Sequence, residues 1–210
     1  MSCLFPKNFD LVKSYKIADK LFPSISNYCY KCRKCCFTYG FLLKEEAKNF
    51  IKIGFPVIQL NRKIYCFDSF KRNKKGKRII NKIPRCIFYK NGKCIIYKYR
   101  PLDCRLYPLK VRFEQNQGII GISLDCKYIK SLNFAKREKI CFNVIKFLKN
   151  IPNALLNDYL ETMYMVFKIS KKKEFRIKKI IKIIRIKNEK WYYSRSILNQ
   201  KNINKNYVQV

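Results

Sequence analysis

The chain has 210 residues, with 48 Lys and Arg against 13 Asp and Glu, for a formal charge of +35. Apolar residues make up 48% of it, enough for a buried core, and eleven cysteines stand beside no histidine at all. That composition suits one domain with an appendage and excludes histidine-based catalysis and histidine metal ligands.

The elements read as follows in chain order. Residues 9–21 have apolar spacing that predicts a short helix. Residues 43–53 predict a second helix, with Glu45 and Glu46 in its first turn and Gly54 just past its end. A strand is expected around residues 63–67, and the run KRNKKGKR at 71–78 reads as a mobile, solvated loop. Asn91-Gly92 between two apolar runs predicts a two-residue hairpin. Pro101 suits the first turn of a helix, and residues 109–124 suggest a second hairpin turning near 116–118. Two helices follow at 134–149 and 154–169, split by Pro152. Ile177, Ile180, Ile181 and Ile184 then recur at helical spacing among 13 Lys and Arg, predicting a basic amphipathic helix, and the last ten residues read as a frayed end.

The fold class expected is α+β: a cysteine-rich, metal-centred domain with two β-hairpins over 1–130, helices over 131–170, and a basic C-terminal helix and tail over 171–210. No run of about 20 apolar residues predicts a membrane span. Asp10 and several lysines interrupt the N-terminal stretch where a signal peptide needs an apolar run, so a cytoplasmic location is expected. In a reducing compartment, dense cysteines serve metal or redox chemistry more often than disulfides.

The cysteines carry the chemistry. Cys29, Cys32, Cys35 and Cys36 form a CxxCxxCC run. A CxxC turn lets two thiolates converge on one ion. Three cysteines spaced CxxCxxC can instead hold three corners of an iron–sulfur cubane, with the fourth ligand from elsewhere. Adjacent side chains diverge, so Cys36 serves a second metal, replaces Cys35 as ligand, or is buried. Cys86, Cys94, Cys104 and Cys126 supply four more sulfurs, enough for two four-ligand sites or one site with spares. Arg100 and Arg105 place positive charge beside Cys104. Cys3, Cys66 and Cys141 stand alone and read as buried apolar residues.

CxxCxxCC at 29–36, followed by Cys86 and then C-I-I-Y-x-x-R-P-x-x-C-R-x-Y-P over 94–108, resembles the YkgJ-like CxxCxxCC family, described as zinc- or iron-chelating. The resemblance covers roughly 29–126. It implies that Cys29, Cys32, Cys35, Cys36, Cys86, Cys94, Cys104 and Cys126 are the metal ligands. The cysteine run is also similar to that of flagellin lysine-N-methylase, where it is associated with an iron–sulfur cluster.

The leading expectation is therefore a metal-binding protein with a thiolate-ligated centre, an iron–sulfur cluster (4Fe–4S) ahead of zinc. One alternative is a structural zinc module in a basic protein that binds nucleic acid or another polyanion through 71–78 and the C-terminal region. Another is a protein lysine methylase-like enzyme. Glu45 and Glu46 are read as favouring a helix N-terminus rather than as acid or base. No Ser-based triad or phosphate-binding Gly loop is present.

Overall fold

The structure is a computed structural model. It describes residues 9–22, 25, 28–29, 40–61, 64–70, 72–78, 85–114, 117–123, 126–170, 180–187, 190–194 and 207–209. The chain divides into two compact units, Met1–Tyr107 and Pro108–Val210. Mixed helices and small antiparallel sheets make it α+β, as the sequence predicts.

The first unit opens with α1 (Phe9–Ala18), whose Leu11, Tyr15 and Ala18 are buried at helical spacing. Strand β1 (Phe41–Leu42) leads into α2 (Lys44–Lys52). The end of α2 is set by Gly54 at φ +83°, a left-handed conformation that glycine adopts without penalty. There the N–H of Phe55 bonds the carbonyl of Phe50, and that of Gly54 bonds Ile51, each at 2.9 Å. The Phe50 and Phe55 rings stack at 5.5 Å and complete this helix stop. Strands β2 (Val57–Asn61) and β3 (Ile64–Phe67) add to β1 in an antiparallel sheet of order β1-β3-β2.

The predicted hairpin follows as β4 (Tyr89–Lys90) and β5 (Lys93–Cys94). Asn91 at φ +45° and Gly92 at φ +79° give the turn the positive angles that an Asn-Gly pair supplies. One turn of 3-10 helix (Tyr97–Tyr99) then leads to α3 (Leu102–Leu106), with Pro101 immediately before it. Leu42, Ala47, Phe50, Phe67, Phe88 and Ile96 form the core between these elements. Phe67 meets Phe50 and Phe88 edge to face, with ring centres 5.0 and 4.7 Å away.

In the second unit, β6 (Leu109–Glu114) and β7 (Gln117–Ser123) form the other predicted hairpin. Gln117 and Gly118, expected in the turn, instead pair with Glu114 and Phe113 as part of β7. After α4 (Lys127–Ser131) come α5 (Phe134–Asn150) and α6 (Asn153–Ser170), broken at Pro152 as expected. The Asn133 side chain caps α5 by accepting Lys136 N–H at 3.0 Å. Ile140, Val144 and Phe147 bury one face of α5, and α6 lies against β6.

Two expectations fail here. The basic amphipathic helix predicted after 171 is, over its described part, strand β8 (Ile180–Lys187). It pairs antiparallel with β7 and with β9 (Lys190–Ser194), in a five-stranded sheet of order β10-β9-β8-β7-β6. Five β-branched isoleucines at 180, 181, 183, 184 and 186 favour a pleated surface over a helix, where their χ1 freedom is lost. The end of the chain is not simply frayed, because β10 (Tyr207–Gln209) pairs with β9. The loop at 72–78 is exposed throughout, but the Asp68 carboxylate holds both of its arginines. No helix among the described residues is long and apolar enough to cross a membrane.

Candidate metal centre

Cys29 is half-buried in a helical turn with Tyr28, while Cys32, Cys35 and Cys36 lie outside the described residues. Cys86 and Cys94 flank the first hairpin and pack against the same aromatic core. The Cys86 carbonyl accepts Tyr89 N–H at 3.0 Å, and Cys94 stands opposite Tyr89 in the register. Cys104 sits in α3 and is partly exposed. Cys126 is buried just before α4 and belongs to the second unit.

Beyond the CxxCxxCC run, Gly40 lies against α3: a Cβ there would stand 3.5 Å from Cys104 Sγ. Phe41 N–H also reaches the Asp103 carboxylate at 3.4 Å. Burial raises the Tyr97 hydroxyl above its usual range, and Cys29 adds a smaller push in the same direction. The Arg100 guanidinium lies 4.1 Å above the Tyr97 ring, and Arg100 stands four residues before Cys104.

A buried polar network fixes this segment from behind. Arg105, 4% exposed, pairs with Asp19 and donates to the carbonyls of Arg100 and Lys98 at 2.8 and 2.6 Å. Arg100 reaches the other Asp19 oxygen at 3.1 Å. The Arg105 guanidinium also covers the Tyr15 ring at 4.3 Å. Tyr15 donates its hydroxyl to Glu46, which is 1% exposed. Glu46 in turn accepts Leu43 N–H at 2.9 Å and Leu102 N–H at 2.7 Å. The first bond closes the start of α2, and the second closes the start of α3.

Burial pushes the Glu46 carboxyl up to about 7 against the pull of these three donors. Burial and then Glu46 hold the Tyr15 hydroxyl far above its usual range, so it remains a donor. Glu46 therefore does serve its helix N-terminus, as the sequence suggested, and does more. Its link to Leu102, and those of Tyr15 and Asp19 to the arginines, have no sequence signal, because each partner lies on another element.

Two guanidiniums thus meet one carboxylate, and that carboxylate, Asp19, is 43% exposed on its side chain. The buried Nε of Arg100 finds no acceptor among the described residues. Surplus positive charge and a spare donor next to Cys104 suit an anionic thiolate centre, since four thiolates on zinc leave a formal charge of about −2. Among the described residues no three Cys, Asp or Glu side chains gather closely enough to hold an ion. The cysteines offer sulfur donors, which suit zinc and iron alike. By contrast, Cys66 and Cys141 are buried thiols, pushed up by burial to about 12 and about 11, which makes them poor ligands.

Residues 28–142, more than half of the chain, match the family model described as "CxxCxxCC: Putative zinc- or iron-chelating domain". The chain belongs to the CxxCxxCC family. The CxxCxxCC region takes in all eight cysteines of the two clusters, and metal chelation is the property it brings. The chain is also similar to an uncharacterized protein, MJ0661, of Methanocaldococcus jannaschii, with 36% identity over 128 residues. That match covers 57% of this chain and 64% of the relative. No solved structure matches the chain.

Proposed function

We propose that this CxxCxxCC protein holds an iron–sulfur cluster, with Cys29, Cys32 and Cys35 at three corners and Cys104 at the fourth. The observation that carries this reading is that a Cβ on Gly40, four residues past Cys36, would stand 3.5 Å from Cys104 Sγ. Three thiolates spaced CxxCxxC favour a cubane over a four-thiolate zinc ion, which two CxxC units would satisfy more directly. When bound, such a cluster supplies one-electron transfer. Arg100 balances its negative charge and offers Nε to it, while Arg105 and Glu46 hold α3 in place. Cys36, Cys86 and Cys94 remain as further thiolate donors of the first unit. A reducing compartment such as the cytoplasm keeps sulfurs of this density available.

The test is anaerobic purification followed by metal and sulfide analysis and an absorption spectrum. The cluster reading expects iron and inorganic sulfide in equal amounts, brown colour, and loss of both on Cys104→Ser but not on Cys66→Ser. A colourless protein holding stoichiometric zinc overturns it in favour of a structural zinc site.

A further inference from the structure

Residues 71–78 carry six positive charges, Lys71, Arg72, Lys74, Lys75, Lys77 and Arg78, and no acid. A run of like charges ordinarily repels itself into a disordered stretch. Here residues 72–78 close into a tight loop, with a backbone bridge between Arg72 and Arg78 at its base. Asp68 takes both arginines, Arg72 at 2.9 Å and Arg78 at 2.8 Å, and Arg78 leads in holding its carboxyl below the usual range. The Arg72 guanidinium also donates to the Gly76 carbonyl at 3.1 Å. Asn73 Oδ1 accepts Lys75 N–H at 3.0 Å and Lys77 N–H at 2.9 Å. Gly76, at φ +74°, makes the reversal without steric penalty.

Both guanidiniums and the amide oxygen are thus occupied inside the loop. Lys74, Lys75 and Lys77 are left exposed at its tip, with no ion pair among the described residues. We propose that this loop is a docking surface for the phosphate backbone of a nucleic acid strand. Lysine ammoniums are point charges, suited to phosphate oxygens and not to the paired edges of a base. No aromatic side chain lies between Arg72 and Arg78 to stack on bases, so binding is indifferent to sequence. No apolar side chain lies there to enter a lipid layer, which favours nucleic acid over an anionic membrane. The Asp68 and Asn73 bonds order the loop before binding, so less entropy is lost on contact. This surface is independent of the metal reading.

The experiment titrates the full chain, with its metal content matched between variants, against fluorescein-labelled oligo(dT) at several NaCl concentrations. The logarithm of affinity should fall linearly with the logarithm of salt. Lys74→Ala/Lys75→Ala/Lys77→Ala should flatten that slope by about 2, at ~0.7 per lost single-strand phosphate contact. Lys136→Ala/Lys139→Ala/Lys146→Ala removes three exposed lysines of α5 and should leave the slope unchanged. Equal flattening by both triples overturns the proposal, because charge is then acting diffusely. So does absence of binding, or binding to phosphatidylserine vesicles without binding to the oligonucleotide.

Discussion

Glu46 accepts the backbone N–H of Leu102 at 2.7 Å across 56 residues of sequence. Leu102 is the first residue of the helix that carries Cys104, and that helix is only five residues long. A helix so short has little stability of its own. Its position depends on this carboxylate and on Arg105. Glu46→Ala leaves the N–H groups of Leu43 and Leu102 and the Tyr15 hydroxyl without their buried acceptor. It should cost about 3 kcal/mol, read by urea denaturation. A loss under about 0.5 kcal/mol, the range of ordinary surface changes, would contradict the buried network.

The same residue makes stability depend on pH. Burial raises the Glu46 carboxyl from 4.5 to about 7, so the folded state keeps a proton that the unfolded chain releases. Its contribution is complete below pH 4.5 and is lost as pH rises through about 7. Wild type should therefore lose about 3 kcal/mol relative to Glu46→Gln across that window, measured as the difference between their unfolding free energies. Comparing the two proteins cancels the opposite pH trend of metal-bound thiolates. Parallel pH profiles would show that Glu46 does not titrate there.

Asp19 joins two arginines that the sequence places beside Cys104. A double-mutant cycle on Asp19→Ala and Arg105→Ala should give a coupling of about 1–2 kcal/mol, moderated because Asp19 is partly exposed. Asp19→Ala should also lower metal retention during chelator challenge, since α3 loses one of its ties.

Cys66 and Cys141 are buried and held as thiols by that burial. In the native protein at neutral pH they should escape iodoacetamide, while cysteines of the 29–36 run react once a chelator strips the metal. Peptide mass spectrometry reads the pattern directly, and native-state labelling of Cys66 would contradict it.

Gly92 turns the hairpin at φ +79°. Gly92→Ala should cost about 1 kcal/mol through that angle alone. Because the turn sets the register of Tyr89 against Cys94, it should also weaken metal retention.

Local chemistry made much of this architecture readable. Asn91-Gly92, Gly54 and Pro152 each impose a backbone angle or remove a donor, so turns and helix ends follow from one or two residues. The first hairpin and the ends of α2, α5 and α6 were legible for that reason. Strand β8 was not, because isoleucines at 177, 180, 181 and 184 satisfy a helical period while the added ones at 183 and 186 serve a strand. Only pairing with β7 and β9 decides between the two. At the centre, the cysteine spacing and the nearby arginines could be seen in sequence. The partners that hold them, Tyr15, Asp19 and Glu46, could not, since contacts between distant segments leave no periodic trace.

The brevity of α3 has a practical corollary. A peptide cut from residues 86–108 would keep three of the sulfurs and both arginines, yet its Pro101–Leu106 turn would have no carboxylate behind it. The address of Cys104 is written in Asp19 and Glu46, so grafting the motif elsewhere means grafting α1 and α2 as well.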